Sequence, residues 1–383
     1  MKIPFGLPII GAKEKKIVSK VLSQPILAHG KQTKEFEEEF RKFTKAKFAL
    51  TTSSCTAGMH LFYLANNIKK GDEVILPAQT HVATAHAIEA VGARPIFVDI
   101  DNKTGNIDVK KIERVISNKT KVITVVHFVG IPVDMLSICK IAKKYNLLVL
   151  EDCALSLGSK INNVHAGLWG DAGIFSFYPV KHMTTGEGGM IISRNDKIKK
   201  KLIKLKSLGI NKTFLDRKTP GLYDCDSFGL NLRMSEINSA IGKVQIKKIK
   251  SILKARKKNF SFLCDKLKRI SYIQVLENIQ KNSKSSNYCL VVLLKKKKLY
   301  ENREKIIKYL NKKGIGTSIY YPHPVPHMSF YKKKYNYSLN LFPKSKEISD
   351  NSISFPVGSH LNKKKINYIF LNLKKIMSKL MGR

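Results

Sequence analysis

Acidic residues are scarce in this chain. Of its 383 residues, 28 are Asp or Glu and 70 are Lys or Arg, giving a formal net charge of +42 at pH 7. An excess of that size attracts nucleic acid, anionic lipid or phosphorylated substrates. Its distribution argues for a plainer reading. The lysines run throughout, with short clusters at 199–201, 295–298, 332–334 and 363–365, and no basic arm or low-complexity tail gathers them. Together with abundant Asn and Ile, which share AT-rich codons with Lys, this reads as solvated surface charge. A functional basic face is the alternative. No helix-turn-helix, zinc-finger or RNA-binding signature accompanies the charge, and no Walker-type or dinucleotide glycine motif is present.

Cysteine is sparse as well. Six residues stand at 55, 139, 153, 225, 264 and 289, with no C-x-x-C pair and no metal-ligand spacing. A chain of this length needs no disulfide staples, so free thiols in a reducing cytoplasm are expected. No apolar run approaches about 18 residues, which excludes a predicted transmembrane helix. The apolar stretch 3–12 is interrupted by Pro4 and Pro8. Lys13-Glu14-Lys15-Lys16 follows where a leader would need small residues, so it is not read as a signal peptide.

What is present is an α/β pattern with enough apolar residues, 43%, for a sizeable core. Phe36, Phe40 and Phe43 recur at helical spacing within 34–45. A strand at 48–52 leads through a polar turn into a helix at 57–66. Strands at 73–77, 95–99, 121–126 and 147–151 then alternate with helices at 84–91 and 135–145, and strands at 172–177 and 189–193 follow. This alternation predicts a mostly parallel sheet flanked by helices, with ligands held outside the carboxyl ends of its strands. A long helix starts at 235. A second α/β unit follows, with strands at 288–294, 317–321 and 353–355 and helices at 299–312 and from 363. The predicted division is a large domain, 1–250, and a small one, 251–383, with the first ~20 residues packing on the small domain. Residues 321–346, rich in Pro, Lys and Tyr, are predicted to form a long exposed loop.

Three strand ends offer chemistry. At Glu151-Asp152-Cys153-Ala154 an apolar strand delivers Asp152 to the rim of the sheet, where a carboxylate suits a cationic partner. On position alone, a turn cap is the commoner role. At Phe175–Gly189 (FSFYPVKHMTTGEGG), Lys181 lies between an aromatic strand and a turn whose glycines allow close backbone approach. At 51–58 (TTSSCTAG), hydroxyls and free amides at a strand-to-helix junction make an anion site, or an ordinary Ser/Thr cap worth about 1 kcal/mol. His323 and His327 stand at a metal-pair spacing, but Pro322, Pro324 and Pro326 forbid the helix that would align them, so no metal is expected.

Taken together these segments resemble the DegT/DnrJ/EryC1/StrS sugar aminotransferases, fold-type I pyridoxal-phosphate enzymes. The resemblance runs from Ile3-Pro4-Phe5 to Ser354-Phe355-Pro356 and is most specific at Phe175–Gly189, with Glu151-Asp152 before it and GLNLRMS, 229–235, after it. It implies an aspartate-aminotransferase-like sheet of seven strands with a smaller α/β C-terminal domain. It also implies that Lys181 is the Schiff-base lysine and that Asp152 pairs with the cofactor's pyridinium nitrogen. By the same resemblance His81 stacks on the ring, Cys55, Thr56 and Ser176 hold the phosphate, and Asn231 reaches the phosphate of the neighbouring subunit, which requires a homodimer. Glu187 is expected to organise its turn. The sequence departs from the family at Leu155, where many members carry a polar residue near the cofactor's phenolic oxygen.

A subgroup replaces the lysine with histidine and dehydrates sugars. Here Lys181 stands five positions after Ser176 and five before Gly186, which puts lysine, not His182, at the reactive position. Transfer of an amino group from glutamate to a nucleotide-linked keto sugar, most often a 4-keto-6-deoxyhexose, is the expected reaction. The segment 314–321 and the loop after it resemble the family's substrate side. The alternatives are a cofactor-binding scaffold without activity and a basic binder of nucleic acid or anionic surfaces.

Overall fold

The computed structural model describes residues 1–212, 217, 219 and 221–382. Its strands, in chain order, begin with β1 (Phe48–Thr52), β2 (Glu73–Pro77), β3 (Arg94–Val98), β4 (Thr120–Val126) and β5 (Leu148–Asp152). The short pair β6 (Lys160–Ile161) and β7 (Val164–His165) precedes β8 (Ala172–Ser176) and β9 (Gly189–Ser193). Seven of them form one sheet in the order β1-β9-β8-β5-β4-β2-β3. Only β9 runs against its neighbours. The carboxyl ends of the other six therefore share one rim.

Both faces of this sheet are covered, so its strands are apolar on both sides. Successive residues point opposite ways. Val74, Leu76 and Leu150 pack under helices Cys55–Ala65 and Val82–Glu89. Their neighbours Ile75 and Val149 pack with Met135, Ile138 and Ala142 of helix Met135–Tyr145 on the other face. On that second face Phe36 and Phe40 of helix Lys31–Thr44 meet Phe175, Phe177 and Met190, with Ile246 and Ile249 of helix Glu236–Leu267 closing the layer.

A second core surrounds an antiparallel three-stranded sheet made of β10 (Ile273–Val275), β12 (Leu290–Leu294) and β13 (Ser352–Phe355). The remaining strand, β11 (Ser283–Lys284), pairs with β6 of the first part. Helices Arg303–Lys312 and Lys363–Met381 and the far end of Glu236–Leu267 cover this core through Ile306, Leu310, Ile369, Leu373, Leu263 and Leu267. Ile3 is buried in it and bridges to Ile315.

The structure corrects three expectations. Residues 317–321 form no strand. Ser318 alone bridges to Ser354, and Tyr320 and Tyr321 are turned instead into an aromatic cluster with Tyr288 and Phe128. The helix at 299–312 is two, Lys297–Tyr300 and Arg303–Lys312. Residues 321–346 are not an exposed loop. They hold a short turn of helix at Val325–His327, helix Ser329–Tyr335 and the start of helix Pro343–Asn351. Val325 and Tyr331 are fully buried in the core of the large sheet. Aromatic content, not proline content, decided this. Tyr331 stacks on His86 and meets Phe97 edge-on, and Tyr337 and Phe342 flank the same Phe97.

Tyr331→Ala should lower stability by about 3–5 kcal/mol through the cavity it leaves. Tyr331→Phe should cost only about 1 kcal/mol, because it removes just the 2.9 Å hydrogen bond to His86 Nδ1. Chemical denaturation of the two variants checks this ordering.

Candidate active site

The rim of the large sheet gathers the chemistry. Asp152 ends β5 and is buried. Its Oδ2 accepts from Thr84 Oγ1 at 2.8 Å and its Oδ1 from the Ala154 amide at 3.0 Å. Because the Thr84 hydroxyl proton goes to Asp152, the 2.8 Å contact between Thr80 and Thr84 has Thr80 as donor. Two threonines of the segment after β2 thus orient one carboxylate at the end of β5.

The preceding residue anchors that strand end. Glu151 and His127 are both wholly buried, with His127 Nε2 2.9 Å from Glu151 Oε2. His127 Nδ1 accepts from the Val133 amide at 3.1 Å, so the ring proton is on Nε2 and is donated to Glu151. The amides of Gly167, Trp169 and Gly170 also donate to Glu151, each at 2.7 Å. Burial by itself pushes this carboxyl up, but the bond from His127 and the backbone amides outweigh it and hold the group below its ordinary value of 4.5. His127, Glu151 and Cys153 are the one group with metal-ligand spacing among the described residues. The His127 and Glu151 atoms that would bind an ion are already committed to hydrogen bonds, so the trio reads as a structural knot.

Lys181 lies on the loop between β8 and β9. Its amide donates to Tyr178 O at 2.9 Å. The loop is closed by Phe177 N to Gly188 O at 2.9 Å and Thr185 N to Phe177 O at 3.0 Å, and by Thr184 Oγ1 to Phe177 O at 2.9 Å. Two glycines permit this closure. Gly186 turns the chain at φ +82°, and a Cβ on Gly189 would come within 2.5 Å of the Ser54 backbone. Glu187 contributes its carbonyl, which accepts from Thr185 Oγ1 and Asn238 Nδ2, while its side chain is exposed. The neighbouring His182 is buried, with Nε2 3.3 Å from Ser286 O and its ring against Tyr288. Burial drives its proton affinity far down.

Cys55 and Thr56 open helix Cys55–Ala65. Ser54 caps that helix by accepting from Ala57 N at 3.0 Å, and the first amides, those of Cys55 and Thr56, have no intrahelical acceptor. Asp152 and Lys181 both act electrostatically on Cys55 and on His81, and Cys55 Sγ lies 3.9 Å from the carbonyl of Ile174, the β8 residue that pairs with Asp152. His81 caps helix Val82–Glu89, with Nδ1 accepting from Ala83 N at 3.2 Å, and its ring lies edge-on to Tyr321 at 5.6 Å. Ser176 ends β8, and its Oγ accepts from Tyr178 N at 3.4 Å. Asn231 is exposed, on the segment whose Leu232 carbonyl accepts from Ser53 N at 2.8 Å. Burial pushes the Lys181 amine below its ordinary value of 10.5, opposed by Cys55 and Asp152. Of the two histidines considered for a metal, His323 is exposed, while His327 Nε2 is buried and faces Phe342.

The sequence reading missed Thr84, Tyr288 and Arg256, and named Tyr320 and Tyr321 only within the substrate-side segment 314–321. Thr84 lay in view beside His81. Tyr288 packs in the cluster of Phe128, Val129 and Leu155, and Arg256 lies on helix Glu236–Leu267; no local pattern marks either. Leu155, the departure from the family pattern, is 3% exposed and packs among Phe128, Val129 and Tyr288.

Comparison with known proteins settles the family. The sequence matches the DegT/DnrJ/EryC1/StrS aminotransferase family over residues 8–374. The chain belongs to that family. It is 35% identical over 371 residues to the GDP-perosamine synthase of Escherichia coli O157:H7, covering 96% of each chain. Among solved structures it superposes on Helicobacter pylori PseC, an aminotransferase involved in the biosynthesis of pseudoaminic acid. The TM-score is 0.91 at 29% identity, covering 98% of this chain and 99% of PseC. It also matches the PMP-form of Spr1654 from Streptococcus pneumoniae, described as a sugar aminotransferase, with a TM-score of 0.93 at 28% identity, covering 99% and 100%. The PLP-form of Spr1654 gives 0.92 at 27% over the same shares. This family member is therefore an aminotransferase on an α/β fold with a large, mostly parallel sheet.

Glu151→Gln tests the knot behind the site. It turns an acceptor into a donor against amide N–H groups and should cost about 3–5 kcal/mol. The native carboxyl titrates below its unfolded value, so its contribution is complete above about pH 4.5 and fades as pH falls through the lower folded value. Thermal melts from pH 7 to pH 3 should show the variant with a shallower acid limb than the native chain.

Proposed function

We propose that this aminotransferase moves an amino group from glutamate to a nucleotide-linked keto sugar, a 4-keto-6-deoxyhexose, in the biosynthesis of a surface polysaccharide or glycan. Pyridoxal phosphate is the cofactor. The observation that carries this reading is the approach of a half-buried amine, Lys181, and a threonine-held carboxylate, Asp152, to the start of helix Cys55–Ala65. That donor set fits the cofactor. Lys181 offers the amine for its aldehyde and Asp152 a fixed negative charge for its ring nitrogen. The amides of Cys55 and Thr56 with the Ser176 hydroxyl offer an anion cradle at a helix N-terminus. His81 offers a ring whose orientation is set by its cap bond.

When bound, the cofactor supplies an electron sink for charge developing at the donor's α-carbon. Lys181 Nζ takes the proton from that carbon and later returns one to the acceptor's carbon. Burial suits it to this by making the neutral amine more available than in an exposed lysine. Asp152, oriented by the donors Thr84 and Ala154, would pair with the cofactor's ring nitrogen. The basic surface favours a diphosphate-bearing substrate. GDP-perosamine synthase and PseC, both sugar-pathway proteins by name, support a sugar acceptor.

Asn231 supports a homodimer with shared sites. It is exposed in its own subunit and bridges to Ser207, beside the exposed Leu208, and Phe228 three residues earlier is 75% exposed. Apolar side chains so exposed are normally covered by a partner. We divide the chain into a cofactor-binding part, 1–250, and a smaller part, 251–383, with helix Glu236–Leu267 spanning the boundary. No described helix is long and apolar enough to cross a membrane. Free thiols, four of them buried, support a reducing cytoplasm.

Two measurements test this reading. The purified protein with pyridoxal phosphate should be yellow, and its absorbance band should shift on adding glutamate, whereas Lys181→Ala should show neither the lysine-linked band nor turnover. Bound cofactor without a shift would point to an inactive scaffold. No uptake of cofactor, with salt-sensitive retention on DNA, would point to a basic binder. For the shared site, Lys181→Ala and Asn231→Ala should each be inactive. Mixed during refolding or co-expression, they should recover about a quarter of native activity, since half the dimers are mixed and each has one intact site. No recovery would refute sharing.

A further inference from the structure

We propose that Tyr288 is the platform on which the free Lys181 ammonium rests, which makes it a positioning residue for the amino-transfer reaction. The proposal builds on the assignment of Lys181 as the reactive amine. Among the described residues no carboxylate or carbonyl accepts a hydrogen bond from Lys181 Nζ. What it has is the ring of Tyr288, with the nitrogen 5.5 Å from the centroid. The Arg256 guanidinium lies 5.8 Å from the centroid of the same ring. Cations are drawn to the electron-rich face of an aromatic ring, more strongly where water is excluded, and Tyr288 is only 2% exposed.

The ring is held too firmly to be incidental packing. The Tyr288 amide donates to Val129 O at 3.3 Å, and its carbonyl accepts from Arg256 Nη1 at 2.7 Å. Its hydroxyl lies 2.8 Å from that of Tyr320, and the His182 ring is 5.6 Å away. Val129 itself sits at φ +45°, a left-handed conformation that β-branched residues rarely adopt. The chain accepts that strain at the turn whose carbonyl anchors Tyr288.

A ring face suits this task better than an ion pair. A lysine that alternates between attachment and freedom needs a place to wait close to the reacting atoms. A direct pair with Asp152 would hold it tightly and divert the carboxylate from its own role. An aromatic face holds the ammonium loosely and does not compete for Asp152. The other groups acting on Lys181 come from separate elements. Asp152 lies at the end of β5, Cys55 at the start of its helix and Cys289 beside Tyr288. His81 and His182 in turn feel the lysine's charge. The ring favours the charged amine and so raises its proton affinity against the effect of burial. Weakening the ring must therefore lower the pH at which Lys181 loses its proton.

The test reads the free amine in the full-length, cofactor-free chain. Lys181 is acylated with acetic anhydride across pH, and its labelling is followed by mass spectrometry of the peptide that carries it. Native protein is compared with Tyr288→Phe and with chains carrying mono-, di- and trifluorinated phenylalanine at 288. Fluorination drains the ring face and nearly preserves its shape, so folding is maintained where Tyr288→Leu would leave a cavity. The phenylalanine variant should stay near the native midpoint. The fluorinated series should step downward by a total of about half to one pH unit. A midpoint that is unchanged or rises along the series overturns the proposal, because a merely structural Tyr288 would change melting temperature and not titration. The cofactor-uptake experiment is independent. Failure there removes the Lys181 assignment, and failure here removes only the platform.

Discussion

Two adjacent carboxylates end β5, and the strand sends them to opposite faces. Glu151 goes into the protein, where one histidine N–H and three backbone amides meet it. A buried charge is tolerable only when so fully matched, and the match fixes the strand end in position. Asp152, on the other face, is thereby aimed at the cleft with Thr84 and Ala154 to hold it. The turn after β4, the loop before β8 and the segment after β2 are all referenced to these two side chains. The geometry around Lys181 depends on that shared reference.

The second core is tied to the first at the cleft itself. Ser286 links the two, its Oγ donating to Leu155 O at 2.8 Å and its amide to Ser159 Oγ at 3.0 Å. Gln79 does the same, its Nε2 donating to Tyr320 O at 2.8 Å and its Oε1 accepting from Ser349 Oγ at 3.0 Å. These bonds help set Tyr288, which faces the lysine, and Tyr320 and Tyr321, which cluster with it. They also give a physical account of Leu155. Its side chain fills the apolar floor beneath Tyr288 and its carbonyl receives Ser286. The position serves the junction between the cores.

Much of this was legible in the sequence, and for physical reasons. Strands such as β5 and β9 are continuous apolar runs because both faces of the sheet are covered, and turn residues bound them sharply. The GEGG segment is legible because only glycine permits the left-handed turn at Gly186 and the close pass of Gly189 by Ser54. The segment 321–346 was misread because proline and lysine suggest exposure. Its aromatic side chains bury themselves on Phe97 and His86, partners more than two hundred positions away. The strand expected at 317–321 failed likewise, since long-range aromatic contacts outweighed local β propensity.

By itself the sequence determined the alternation of strands and helices, the mostly parallel sheet and the spacing that sets Lys181, not His182, midway between Ser176 and Gly186. Those features are local. They depend on periodicity, turn chemistry and spacing along one stretch of chain. The tertiary structure alone decided what surrounds the lysine. Helix Lys31–Thr44 shows the same rule on a smaller scale. Its own N-cap, Gly30, supplies no side chain, and its first amides, those of Gln32 and Thr33, are met at 2.7 and 3.0 Å by Glu236. A carboxylate some two hundred residues distant completes that helix, as a tyrosine more than one hundred residues distant receives the ammonium of Lys181. Such partners are chosen by packing in three dimensions, and no spacing along the chain encodes them.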